Sequence, residues 1–167
     1  QQYVRMASYI MRAIRAKRGN YMVFFPSYRL MEDVYQVYQD EFYASWVRCI
    51  SQHASMTELE REEFLEEFSE ESDETLVGFC VMGGIFSEGI DLIGNRLIGA
   101  AVVGTGLPQV NCEREILKDY YDEKGEQGFD YAYRYPGMNK VLQAAGRVIR
   151  TKEDNGTILL MDERFLN

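Results

Sequence analysis

The chain alternates short, mostly apolar runs with longer amphipathic stretches, and this alternation restricts it to few folds. Residues 21–25, 46–51, 76–82, 97–103 and 156–161 are the short runs. They are too short for ordinary helices, and several are apolar on successive positions, as strands covered on both faces are. Between them lie stretches of helical period. Residues 3–17 place Met6, Ile10, Ala13 and Ile14 on one face, and residues 28–44 do the same with Leu30, Val34, Val37 and Phe42. Thr57 and Glu60 have capping-box spacing, ahead of a helix that turns Phe64, Leu65 and Phe68 inward. Residues 111–126 and 136–149 read as two further helices, with Pro136 in the first turn of the second. The expected fold class is α/β, a parallel sheet with helices on both faces.

At 167 residues the length suits one domain, and about 70% of the unfolded surface can be buried. No apolar run is long enough to span a membrane, and the N-terminal residues do not resemble a signal peptide. Cys49, Cys80 and Cys112 form no CxxC pair, which points to reduced thiols rather than a disulfide framework or a zinc site. The net charge is −9, and residues 58–74 carry ten acids against Arg61 alone. That segment therefore accounts for the whole imbalance, so the acidic total does not exclude a nucleic-acid partner elsewhere on the surface. A solvated helix face is the simplest reading of the run, and a partner-binding role is the other.

No GxxxxGK[ST] motif is present, and no Gly-Lys pair occurs anywhere, so the chain has no P-loop of its own. Gly104-Thr105-Gly106 follows a strand but lacks the third glycine of a dinucleotide fingerprint. The strongest local signal is Gln143-Ala-Ala-Gly146-Arg147-Val-Ile-Arg150. On a helix, positions 143, 147 and 150 share a face. Two guanidiniums beside an amide and a glycine suit a phosphoryl group or a carboxylate offered from outside. The same spacing also describes a surface helix with arginines paired to nearby acids. Ser87, Glu88 and Asp91 lie in a glycine-rich loop after a strand. They would accept from ribose hydroxyls, orient water or hold the later arginines, or else cap the next turn.

Four segments occur in order: Phe24-Phe-Pro-Ser-Tyr28, Phe86-Ser-Glu-Gly-Ile-Asp91, Gln143 to Arg150, and Leu160-Met-Asp-Glu-Arg-Phe165. They resemble motifs IV, V and VI, and the strand after VI, of the XPD/DinG branch of superfamily 2 helicases. The resemblance implies a RecA-like three-layer sandwich of P-loop NTPase type, with residues 1–167 forming one C-terminal motor domain excised from a longer chain. It implies that ATP and Mg²⁺ serve the intact parent and are not required by this piece. The Walker lysine, the DEAH carboxylates and any iron–sulfur cluster would belong to the first motor domain. That first domain and single-stranded or forked DNA are the implied partners, with no membrane, no metal site in this chain, and a cytoplasmic setting.

By the same resemblance, Arg147 and Arg150 would act as arginine fingers, and Gln143 would position nucleotide or water. Glu88, Gly89, Asp91 and Gly146 would line or couple the ATP cleft. Ser27, Tyr28, Gln52, Ser87 and Thr105 would contact the nucleic acid. A non-catalytic nucleic-acid-binding module, in a protein whose ATPase has decayed, is the alternative class. The presence of both arginines favours the motor.

Overall fold

The structure, a computed structural model, describes residues 1–70, 73–86, 92–149, 152 and 154–166. Its elements in order are α1 (Gln2–Ala16), β1 (Asn20–Phe25), α2 (Tyr28–Glu41), β2 (Val47–Ser51), α3 (Glu58–Glu66) and β3 (Thr75–Val81), then β4 (Gly99–Val103), α4 (Cys112–Glu123), α5 (Tyr135–Ala145) and β5 (Thr157–Met161). The five strands form one sheet in the order β2-β3-β1-β4-β5, and every pairing is parallel. The sheet thus has the architecture expected of the apolar runs.

Alternation along the central strands divides the core in two. Tyr21, Val23 and Phe25 of β1, with Val77, Phe79 and Val81 of β3, face α1 and α2. Met22 and Phe24, with Leu76 and Cys80, face α3 and α5, where Phe64, Phe68, Phe86, Val141 and Ala144 pack. β1, β3 and β4 are buried at every position, which is why they read as continuous apolar runs. Burial pushes the Cys49 thiol up to about 12 and raises that of Cys80 as well, and all three cysteines are free. No helix among the described residues is long and apolar enough to cross a membrane.

The capping box at Thr57 and Glu60 is formed, and its hydrogen bonds hold the Glu60 carboxyl below the usual carboxylate range. The other end of α3 is closed from a distance. Arg96 donates to the carbonyls of Phe68 (2.8 Å) and Leu65 (3.1 Å), placing a guanidinium where the helix dipole is negative. Arg48 of β2 pairs with Glu67 at 2.6 Å.

Two helix readings are corrected. The helix expected over 136–149 begins earlier and ends sooner. Helical backbone starts at Gly128, passes through a π-helical segment, Asp130–Arg134, and continues as α5 to Ala145. Pro136 has no N–H to offer the Ala132 carbonyl one turn back. Arg114 of α4 donates to that carbonyl instead, at 2.6 Å. Residues 111–126 also yield a shorter helix, Cys112–Glu123, with Asn111 as its N-cap.

Gly78 shows how closely the second layer packs. A Cβ there would lie 2.6 Å from Cζ of Phe68, whose side chain is fully buried and cannot swing aside. Gly78→Ala is expected to lower stability by about 1–3 kcal/mol, read as a drop in the urea midpoint with an unchanged slope.

Candidate functional site

In an open α/β sheet, ligands sit beyond the carboxyl ends of the strands, where successive connections leave to opposite faces. Here that point lies between the neighbouring strands β1 and β4. After β1 the chain enters α2 on one face, and after β4 it reaches α5 on the other. Pro26, Ser27 and Tyr28 border the crevice on one side, and Gly104, Thr105 and Gly106 on the other. A Cβ on Gly104 would lie 3.7 Å from Cγ of Pro26.

Ser27 caps α2, its hydroxyl accepting from the Leu30 N–H at 3.3 Å. The crevice therefore has a helix N-terminus on its rim, a place suited to anions. Tyr28 packs its ring against the first core cluster, and burial raises its hydroxyl pKa, with Cys80 adding to the shift. Thr105 has its Oγ1 buried, with no hydrogen-bond partner among the described residues.

Gln52, just past β2, has a different character from the direct contact expected of it. Its side chain is 2% exposed. Its Oε1 accepts from the Val81 N–H at 2.9 Å, and its Nε2 donates to the Tyr28 hydroxyl at 2.8 Å. Its own N–H donates to the Phe79 carbonyl at 2.8 Å. Gln52 is thus tied to three protein groups, across the ends of β1, β2 and β3.

The other candidate residues cluster elsewhere. α5 meets the turn after β4 glycine to glycine. A Cβ on Gly137 would lie 2.8 Å from the Thr105 carbonyl oxygen, and one on Gly106 would lie 3.1 Å from the Gly137 carbonyl oxygen. Gly106 also has φ +63°, which favours glycine. This approach brings Lys140 over the β3 turn, where a Cβ on Gly83 would lie 3.4 Å from its Cε. Nothing in its sequence context singles Lys140 out, because a lone lysine in an amphipathic helix reads as solvated.

From Gly137, α5 runs to Gln143, about 9 Å further along the axis at 1.5 Å per residue, with Gly146 and Arg147 just past its end. Gln143 and Gly146 are exposed and Arg147 is half-buried. The helix does not continue to Ile149 as expected. It stops at Ala145, and the N–H groups of Arg147 and Val148 bond to Ala144 (3.3 Å) and Ala145 (3.1 Å), a 3₁₀-type tightening. Gly146 keeps right-handed backbone, with a φ of −65°, so its glycine is not required by a left-handed cap. A Cβ there would lie 3.1 Å from the Leu142 carbonyl oxygen, so the position is crowded by the end of the helix itself.

Ser87, Glu88, Gly89, Asp91 and Arg150 lie outside the described residues. The candidates that are described form two groups. Ser27, Tyr28, Gln52 and Thr105 gather at the carboxyl edge, and Gln143, Gly146 and Arg147 lie at the far end of α5. Among the described residues, no cluster of His, Cys, Asp and Glu can hold a metal ion.

The family model described as "Helicase C-terminal domain" matches residues 10–167. A regulator of telomere elongation helicase 1 homolog from Aedes aegypti is 33% identical over 165 residues, covering 89% of this chain and 16% of that protein. A probable ATP-dependent helicase of Methanocaldococcus jannaschii is 24% identical, over 93% of this chain and 25% of its own length. The chain thus spans a quarter or less of either relative. An XPD helicase structure superposes with a TM-score of 0.74 at 21% identity, over 99% of this chain and 28% of that one. This likeness establishes the fold as RecA-like.

The glycine contact under α5 leads to a stability prediction. Gly137→Ala is expected to push α5 off the β4 turn, costing about 1–3 kcal/mol. The drop should appear in thermal melting, together with faster amide exchange at Thr105 and Gly106.

Proposed function

Because the chain belongs to the helicase C-terminal domain family, we propose that it is the second motor domain of an ATP-dependent DNA helicase of XPD/DinG type. It is one domain of a longer protein and works against a first motor domain in the same chain. One observation carries this reading: α5 joins the two groups of candidate residues. Its first turn is seated on Thr105 at the carboxyl edge, and its last turn presents Gln143, with Gly146 and Arg147 just beyond. A helix pressed against a buried sheet is stiff, so displacement at one end is passed to the other.

Nucleic acid fits the carboxyl edge. The α2 N-terminus and the Ser27 and Tyr28 hydroxyls supply uncharged donors for a sugar-phosphate backbone. The nucleotide fits the other end. Gln143 and Gly146 are exposed next to the half-buried Arg147, a grouping that suits a phosphoryl group arriving from outside. ATP with Mg²⁺ supplies the phosphoryl transfer that drives the cycle, and its cradle would be on the first motor domain. This chain's part is to stabilise the charge that develops, with Arg147 and Arg150 as fingers, and to hold Gln143 near the attacking water. Glu88, Gly89 and Asp91 would connect that cleft to the strand ends. Closing of the two domains on nucleotide and opening after hydrolysis would then advance a single strand over Ser27, Tyr28, Ser87 and Thr105.

Two measurements test the proposal. The isolated chain is expected to show no DNA-stimulated ATP hydrolysis, since it carries no phosphate-cradling loop. In the full-length protein, Arg147→Ala and Arg150→Ala are each expected to cut turnover by about 10³ or more, while nucleotide binding weakens far less. Arg147→Lys should fail as well, because an ammonium does not reproduce the planar fork. Near-normal turnover in both alanine variants, with unchanged melting temperatures, would make these arginines structural.

A further inference from the structure

The direction of the hydrogen bonds around Gln52 decides what the Tyr28 hydroxyl can bind. A side-chain amide has a donor end and an acceptor end, and the partners around it fix which is which. Here the assignment is forced. The Val81 N–H is a backbone group that can only donate, and it meets the Gln52 amide at 2.9 Å. That end must be the carbonyl oxygen, so the NH₂ end faces Tyr28 and donates to its hydroxyl oxygen at 2.8 Å. The Tyr28 oxygen is thereby an acceptor inward, and its own proton is directed elsewhere. Among the described residues that proton has no acceptor.

Resting on the motor-domain reading, we propose that Val81 N–H, Gln52 and Tyr28 form a one-way hydrogen-bond relay that makes the Tyr28 hydroxyl a dedicated donor to a phosphate oxygen of single-stranded DNA. Gln52 is a positioning residue in this relay and touches no nucleic acid. Several features keep the relay in place. The Gln52 backbone is held by its own bond to Phe79, and its side chain is 2% exposed, so neither end of the amide is released to water. Gly84 leaves room over the amide, since a Cβ there would sit 3.3 Å from Nε2. The partly buried Tyr28 ring is packed against the first core cluster, which fixes the place of its hydroxyl. Its raised pKa keeps the donor proton in place at neutral pH. Each bond in such a chain polarises the next, so a donor fed from behind is a better donor in front. The ligand this selects is an acceptor-only group, and a phosphodiester oxygen beside a helix N-terminus is one.

Gln52→Glu is the informative variant. It keeps the shape and still accepts from Val81, but a carboxylate cannot donate to Tyr28. The tyrosine proton would turn inward to the carboxylate, and the outward donor would be lost. Affinity of the full-length protein for a fluorescein-labelled oligothymidylate, measured by anisotropy without nucleotide, is the readout. Y28F and Q52E are each expected to weaken binding about tenfold, the effect of losing one hydrogen bond to a charged acceptor. Y28F should leave the slope of affinity against salt unchanged, since no cation is removed.

The double variant separates the relay from the added negative charge. In the Y28F background, Q52E should cost less than twofold, whereas simple repulsion would cost the same in both backgrounds. Wild-type binding with single variants within twofold of it would overturn the relay alone, as would equal Q52E effects in the two backgrounds. Failure of the wild-type protein to bind the oligonucleotide would overturn the nucleic-acid reading and the relay with it.

Discussion

The seating of α5 on the turn after β4 is the contact on which the arrangement of this domain depends. Gly137 and Gly106 both lack a side chain where the helix meets the loop, and the Thr105 carbonyl lies within van der Waals distance of the helix backbone. No pair of larger residues allows backbones so close. From that point the helix buries Val141 and Ala144 against the second face of the sheet. Its direction, and hence the place of Gln143, Gly146 and Arg147, follows from one end being pinned and one stripe being apolar. The two groups of candidate residues are related through this helix rather than through direct contact.

The acidic segment is arranged so that its charge does not disrupt the fold. Phe64 and Phe68 anchor it over the space left by Gly78, while most of its carboxylates face solvent. Among the described residues its ordered partners include Glu60 in the capping box, Glu58 with Arg61, Glu67 and Glu74 with Arg48, and Glu70 accepting from the Asn95 N–H at 3.0 Å. The strongest tie at its C-terminal end is Arg96, and this bonds to backbone carbonyls, not to carboxylates. Exposed pairs of this kind contribute little to stability. The negative charge is thus carried on a helix held by aromatic packing and by carbonyl capping.

Much of the fold was legible because burial on both faces leaves a plain signature. Residues 21–25 and 76–82 read as apolar runs for the same reason that Val23, Phe24, Val77 and Phe79 are almost wholly buried. The capping box was legible because both partners are local in sequence. The π-helical segment was not, since Gly125 and Gly128 resemble a loop and Pro136 resembles a helix start. Only the distant Arg114, taking the Ala132 carbonyl, shows how a proline is accommodated within a continuing helix. The early end of α5 was hidden for a similar reason. Arg147 to Arg150 keep helical spacing, and the tightening to 3₁₀ bonds after Ala145 has no signature in residue type. Of the candidate site, Ser27, Tyr28 and Thr105 are where strand-end logic puts them, while the role of Gln52 depends on Val81 and Tyr28, each more than twenty residues away.

The hydroxyls and helix N-terminus of the carboxyl edge, with Lys140 beside them, bear on how the proposed motor domain would hold and release a track. A site built from lysines gains affinity by displacing counterions, and that gain changes little with small shifts of position. Hydrogen bonds from hydroxyls and a helix N-terminus depend steeply on distance and angle. A movement of under an ångström at the end of β4 or β3 is then enough to weaken them. Thr105 lies directly under the first turn of α5, and the Tyr28 hydroxyl is tied through Gln52 to the last residue of β3. On the proposed motor reading, the Tyr28 donor and the Thr105 turn are therefore fixed to elements that lead toward Gln143 and Arg147. On the same motor reading, a grip that depends this steeply on geometry is one that such elements can switch.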